Sequence, residues 1–365
     1  MNLKDIANIR LHNQQIAETK FRTPKDIVSW MGAMQAQDYA MAKWAIGVRL
    51  PKSTNISVET AIDKGEIIRT HLLRPTWHFV LAKDIYWMID LTGPRIKAAL
   101  RSRQKALEIT PSIINKSNTI IEKVLMGNKH LTREELVNEL KKSKIATDNY
   151  RSSHLIVEAE LEKIICNGAT KDKKQTYALL HERVPATKAM HKDEALAKLA
   201  KKYFISHSPA TLEDFVWWAG LTFTDAKNAL EMIKPGFISE TFGAKTYWFT
   251  NSFSIPETGK TSVYLLPAFD EFLISYKDRS ASLSIKKNRT AVSINGIFYP
   301  TIIVNGQVTG LWSRIINKDK VIVEAKFFQQ QNKNMKGLIE NEAKRFGDFL
   351  DKKTEVTYTK ARTIT

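Results

Sequence analysis

The chain has almost no cysteine: among 365 residues, Cys166 stands alone. A single thiol excludes a disulfide framework within the chain and cannot complete a thiolate zinc site. Its apolar neighbours in "EKIICNGA" mark it as a buried thiol. The eight histidines do not make up the shortage, because none has metal-ligand partners at useful spacing. No metal and no cofactor is expected. Long hydrophobic runs are missing too. No apolar stretch reaches the roughly 18 residues of a membrane span, and "MNLKDIANIRLHNQQ" lacks the apolar core of a secretory signal. No leucine-rich heptad run offers a helical dimer seam, so a monomer is expected. A cytoplasmic protein is expected.

Acidic residues are the other shortage. Lys and Arg number 56 against 38 Asp and Glu, a formal charge of +18. Such a surplus attracts polyanions, nucleic acid first and an anionic membrane surface second. A solvated, lysine-rich surface without a partner is the plain alternative. The charge is not confined to a tail, however, but recurs from Lys4 to Arg362. A DNA partner implies a nucleoid-associated protein.

Strand and helix do not alternate in Rossmann fashion. Instead a group of two or three helices followed by a short strand pair recurs. "DIANIRLHNQQIA", "TPKDIVSWMGAMQ", "AMAKWAIGVRL" and "SVETAIDKG" have apolar residues at helical spacing, with Pro24 after Thr23 starting one helix and Gly65 ending another. "IIRTHLLRPTWHFVL" is rich in β-branched and aromatic residues, and Pro75 inside it implies an edge or a bulge. A second group opens with a capping box, Thr132 with Glu135. "YRSSHLIVEAELEKIICNG" follows as an amphipathic helix closed by Gly168, and "KQTYALL" as a strand. In the third group "TLEDFVWWAGL" and "TFTDAKNALEMI" flank a turn at Gly220, a helix-turn-helix arrangement, and "KTYWFTNSF" adds a strand. From about Ser262 strand-like runs dominate, Asn305-Gly306 is a strong hairpin signal, and "QNKNMKGLIENEAKRFGDFLD" closes as a helix. The expected fold is α+β: winged-helix units over 1–120, 121–187 and 188–258, then a β-barrel-like domain with a closing helix over 259–365. Winged helices also serve as protein-binding modules; the charge favours DNA.

"MQAQDY", "IIRTHLLRPTWHFVL", "YRSSHLIVEAELEKIICNG", "KQTYALLHERVP", "DFVWWAGL", "LLPAFDEFLISYKDR" and "GIFYPTIIVNGQVTGLWSR" together resemble the winged-helix DNA glycosylases of the AlkZ type, over residues 5 to 350 or so. The resemblance implies tandem winged helices and a β-barrel-like domain around a concave basic surface, acting on alkylated or crosslinked duplex DNA. It also implies a catalytic signature of glutamine, apolar residue, glutamine, which Gln35, Ala36 and Gln37 match. A sister branch has aspartate at the third place.

Two glutamines suit a narrow chemistry. A glutamine amide is a poor base, but its oxygen accepts and its NH₂ donates. It can hold a water without deprotonating it early. That suffices when the leaving group is already good, as with an N7-alkylated purine, which is cationic and departs neutral. Positioning then matters more than the general-base help of about 10²–10⁴-fold used elsewhere. Side chains at i and i+2 point about 200° apart on a helix but share a face in extended backbone. If Gln35 and Gln37 act together, the helix must end or bend near Gln35. The plain alternative is a polar helix end, and Asp38 is a rival catalytic carboxylate. Arg69, His71, Arg74 and His78 lie in one strand-like region as candidate DNA contacts, with His78 equally readable as a core histidine. Lys277, Arg279 and Arg314 are candidates on basic loops of the last domain. Trp217 and Trp218 read as core, and the Asn305-Gly306 hairpin as one that could enter a groove. Three functions stay open: a monofunctional glycosylase, a glycosylase that also cleaves the backbone through a lysine, and a non-catalytic DNA-binding regulator.

Overall fold

The computed structural model describes residues 2–250, 261–330 and 333–359. The first group comprises α1 (Leu3–Asn13), α2 (Pro24–Met31), β1 (Ala33–Gln35), α3 (Tyr39–Gly47), α4 (Asn55–Asp63), β2 (Ile67–Leu72), β3 (Thr76–Leu81) and α5 (Ile85–Ala106). The middle holds α6 (Pro111–Leu125), β4 (Leu131–Thr132), α7 (Arg133–Lys142), α8 (Arg151–Leu161), β5 (Ile165–Asn167), β6 (Thr176–Leu179) and α9 (Leu180–Arg183). Next come α10 (Lys192–Ser206), α11 (Leu212–Ala219), α12 (Phe223–Ile233), β7 (Phe237–Phe242) and β8 (Lys245–Thr250). The continuation of β8 expected over Asn251 to Phe253 lies outside the described residues. The chain closes with β9 (Val263–Leu266), α13 (Glu271–Ile274), α14 (Ile285–Ala291), β10 (Thr301–Val304), β11 (Gln307–Ile316), β12 (Lys320–Phe327), α15 (Lys333–Leu350) and β13 (Lys353–Thr359).

Three-stranded sheets order as β1-β3-β2 and β4-β6-β5, and β7 pairs with β8. The first sheet is buried on both faces. Met34, Ile67, Phe79 and Leu81 join a core shared with the C-terminal strands, while Ala33, Ile68, Leu72 and Val80 join a second core with α5 and α10 to α12. This alternation follows from the period of two along each strand. The Arg49 guanidinium, fully buried, ties α3 to the C-terminal part through two bonds of 2.8 Å to Asp270.

Several expectations change. The C-terminal strands do not close into a barrel. They form an open sheet of order β13-β12-β11-β10-β9. The reason is α15, whose buried Ile339, Ala343, Phe346 and Phe349 cover one face of the sheet, and which carries the chain across so that β13 pairs parallel to β12. With a helix burying the apolar face, the strands need not curl to do so. Pro75 lies in the turn between β2 and β3, outside either strand. The helix α8 stops at Leu161, and Gly168 follows β5 instead of capping that helix. The run "LLPAFDEFLIS" is β9 and then the short helix α13, N-capped by Asp270.

The helix before the glutamines ends earlier than its pattern suggests. Gly32, at φ +80°, stops α2 at Met31, and the chain is extended by Ala33. Gly220 ends α11 in the left-handed region, and a Cβ there would lie 2.3 Å from the Leu73 carbonyl oxygen. The helix-turn-helix is thereby packed against the β2–β3 turn.

Candidate active site

Gln35 ends the edge strand β1, with Cα opposite that of His78 in β3. Ala36 continues the pairing by donating to the Trp77 carbonyl at 2.7 Å. The backbone is therefore extended through Gln35 and Ala36, and the chain bends at Gln37 on its way into α3. Gln35 is buried and Gln37 is exposed.

Gln35 is held at two points. Its N–H donates to Oε1 of Glu271 at 2.5 Å, and its Oε1 accepts from Nη2 of Arg74 at 2.9 Å. Glu271 also accepts from the Trp218 indole at 3.1 Å and from the Ser275 hydroxyl. Against the push of burial, neighbouring His207, the Ser275 hydroxyl and the Gln35 N–H keep the Glu271 carboxyl below the usual carboxylate range. Gln37 is looser: its Oε1 accepts from the Trp77 N–H at 3.4 Å.

Asp38 is engaged locally. Its Oδ1 caps α3 by accepting from the Met41 N–H at 3.1 Å, and its Oδ2 lies 3.5 Å from the Arg314 guanidinium. His78 is buried on the Gln35 face of the sheet. Its Nδ1 lies 2.9 Å from the Thr76 carbonyl and so carries the proton, while Nε2 has no hydrogen-bond partner among the described residues. Burial, and then the Arg74 cation, push His78 down to about 4.

Arg69 and His71 do share a face, but it is the opposite one from Gln35 and His78. Arg69 donates twice to the Ala36 carbonyl, at 3.0 and 2.9 Å, and once to Gln175 at 2.5 Å. It thereby clamps the peptide between the two glutamines. His71 pairs with the buried Glu160 and packs on Trp77 at 4.1 Å between ring centroids. Lys277 is exposed, its backbone N–H held by Asp214 at 2.9 Å. Arg279 anchors Nε on the Leu273 carbonyl at 3.0 Å. The Asn305-Gly306 turn forms, but a Cβ at Gly306 would lie 2.8 Å from that of Ala7, so this turn is packed on α1 and is not free to enter a groove.

Two residues escaped the sequence reading. Glu271 sits in "AFDEFLI", where two carboxylates interrupt an apolar run; buried carboxylates need partners, and that was its signal. Trp217 reads as core beside Trp218, yet it is 38% exposed while Trp218 is fully buried. Among the described residues no group of three His, Cys, Asp or Glu can hold a metal ion, and no helix is long and apolar enough to cross a membrane.

A buried, doubly anchored glutamine thus lies beside an exposed one in a strongly basic chain. A family model described as "DNA glycosylase AlkZ-like" matches residues 28–349, and the chain belongs to that family. A relative from Streptomyces sahachiroi, an interstrand DNA cross-link repair glycosylase, is 24% identical over 332 residues, covering 86% of this chain and 88% of the relative. The solved structure of the Streptomyces sahachiroi DNA glycosylase AlkZ shares the fold, with a TM-score of 0.81 at 18% identity over 98% of this chain and 100% of that one.

Proposed function

We propose that the protein is a monofunctional DNA glycosylase. It hydrolyses the N-glycosidic bond of N7-alkylated, cationic purines in duplex DNA and unhooks interstrand crosslinks of the same chemistry. The observation that carries this reading is the unequal anchoring of the glutamines. Arg74 takes the Gln35 carbonyl, so Gln35 presents its NH₂ as a donor. Gln37 is exposed and keeps an acceptor lone pair beyond its long contact with Trp77. One donor and one acceptor two positions apart can hold a water with its remaining lone pair directed at C1′. The C1′–N9 bond breaks as its electron pair neutralises the purine, water oxygen bonds to C1′, and the proton passes to solvent. No strong base is needed, because the base departs neutral.

Asp38 supports the glutamine reading, since its carboxylate is engaged by the α3 N-terminus and Arg314. Arg69 acts by fixing the peptide at Ala36, His71 and His78 are packed inside the fold and not DNA contacts, and Arg74, Lys277, Arg279 and Arg314 supply the DNA-facing charge. The three helix-and-sheet groups act as tandem winged-helix units, within the limits 1–120, 121–187 and 188–258, with 259–365 as the fourth unit. The protein works as a monomer on the nucleoid. The relative's crosslink-repair name favours the crosslink substrate.

The test uses two duplexes, one with a single N7-methylguanine and one with a single uracil. Free N7-methylguanine, an intact sugar-phosphate strand and no uracil release are expected. Uracil release, or strand cleavage at the damaged site without base treatment, would overturn the cationic-substrate or the monofunctional assignment respectively.

A further inference from the structure

Arg74, Arg279 and Trp217 come from three separate elements and meet beside Gln35. Arg74 lies in the β2–β3 turn, Arg279 in the loop after α13, and Trp217 on α11. The Arg74 and Arg279 guanidinium carbons lie 5.3 and 5.4 Å from the Trp217 ring centroid, and Arg279 also lies 4.8 Å from that of Phe298. The ring is pinned by its indole N–H, which donates to the Ile274 carbonyl at 2.8 Å.

These arginines differ from three others in the chain. Arg10, Arg49 and Arg314 each face an aspartate within 3.5 Å. Among the described residues neither Arg74 nor Arg279 has a carboxylate in ion-pair range. The Nε of Arg74 is buried without a partner. Burial, and then the Arg74 cation, push the Arg279 guanidinium down to about 10. Glu271 acts on Arg74, and Asp214 and Asp278 on Arg279, only from beyond ion-pair range, and two buried cations gathered at one ring without a direct partner are costly unless an anion joins them. A guanidinium fork matches a phosphate bidentately, and an exposed, fixed indole is a surface on which a base stacks.

We infer that Arg74 and Arg279 clamp one DNA phosphodiester next to the damaged nucleotide, while Trp217 stacks on the adjoining base. This rests on the glycosylase reading for the lesion's position, not for the contact itself. Arg74 also donates to Gln35, so the clamped phosphate lies one side chain from the amide that holds the water. The phosphate has an electrostatic role as well. Unneutralised, the two guanidiniums would oppose an oxocarbenium-like transition state, and the bound phosphate cancels that opposition.

The test is equilibrium binding of the full chain to a duplex bearing a stable abasic-site analogue, measured across salt concentrations. No base release is required. Arg279→Ala is expected to weaken binding about tenfold and to reduce the slope of log K against log salt by about 0.9, the value for one phosphate contact. Arg279→Lys should keep the slope. Trp217→Ala should weaken binding at every salt with an unchanged slope, and Trp217→Phe should restore most of it. A neutral methylphosphonate, placed in turn at each linkage flanking the lesion, should reproduce the Arg279→Ala loss at one linkage, and the two changes together should cost no more than either. An unchanged slope in Arg279→Ala, or losses that add at every flanking linkage, would overturn the clamp. If the clamp behaves as described and wild type releases no N7-methylguanine, the N7-methylguanine assignment fails and the subsite stands.

Discussion

Arg74 donates from Nη2 to Oε1 of Gln35 across 2.9 Å, so a cation in a hairpin turn sets the orientation of a buried amide. A hydrogen bond to a charged group contributes about 1.5–3 kcal/mol. If that orientation matters only when water is positioned, Arg74→Met lowers the single-turnover rate of base release roughly 10- to 100-fold beyond its effect on binding. Saturating enzyme on an N7-methylguanine duplex separates the two. A binding loss with no change in the saturated rate would remove Arg74 from the orientation of Gln35.

Glu271 is the second anchor. Its buried carboxylate serves the Gln35 N–H, the Trp218 indole and the Ser275 hydroxyl. Glu271→Gln keeps the shape but places an NH₂ where at least one donor already points. We expect about 2–3 kcal/mol less stability in urea unfolding, with a larger loss for Glu271→Ala. Stability equal to wild type would mean that the network carries no weight.

The fold was legible where local chemistry decides and illegible where tertiary packing does. The Thr132 and Glu135 capping box, the Gly220 turn and the Asn305-Gly306 hairpin all rest on residues within a few positions of each other. The stop at Gly32 was harder: its flanks are helical in pattern, and only pairing with β3 draws Ala33–Gln35 into a strand. The strand runs suggest a barrel-like domain because they do not say whether the closing helix will cover them; α15 does. At the site, the alternation that unites Arg69 with His71 was readable. That it sets them opposite Gln35 required knowing the β1–β3 register. Glu271 lies 236 positions from Gln35, and Arg279 meets Trp217 only through the fold, so neither link leaves a trace in spacing.

Gly220 carries a prediction of its own. At φ +65°, with a Cβ position 2.3 Å from the Leu73 carbonyl, even alanine must shift the β2–β3 turn. Backbone strain alone costs about 1 kcal/mol. Gly220→Ala is expected to lose more than that in thermal or urea unfolding. It should also slow base release, because the displaced turn carries Arg74. An unperturbed melting temperature would show that the turn yields freely.

Acid should weaken the fold through His78. Its folded value, about 4, lies below the ordinary 6.5, so between these values the unfolded chain binds a proton that the folded one refuses. Stability contributed by the neutral ring is full above about 6.5 and is lost as pH falls toward 4, by up to about 3 kcal/mol. His78→Asn, which can still donate to Thr76, should flatten that part of the urea-unfolding profile between pH 7 and 4. An identical slope in wild type and variant would contradict the assignment.

The most direct test of the whole account compares wild type with Gln35→Ala, Gln37→Ala and the double variant on a duplex with one N7-methylguanine. Single-turnover release of the free base is measured alongside affinity for the abasic-site analogue. The account predicts release by wild type, a loss of about 10²-fold or more in the double variant, and near-normal affinity throughout. Release at the wild-type rate by the double variant would contradict it, and "MQAQDY" would then be no more than a bend between a helix and an edge strand.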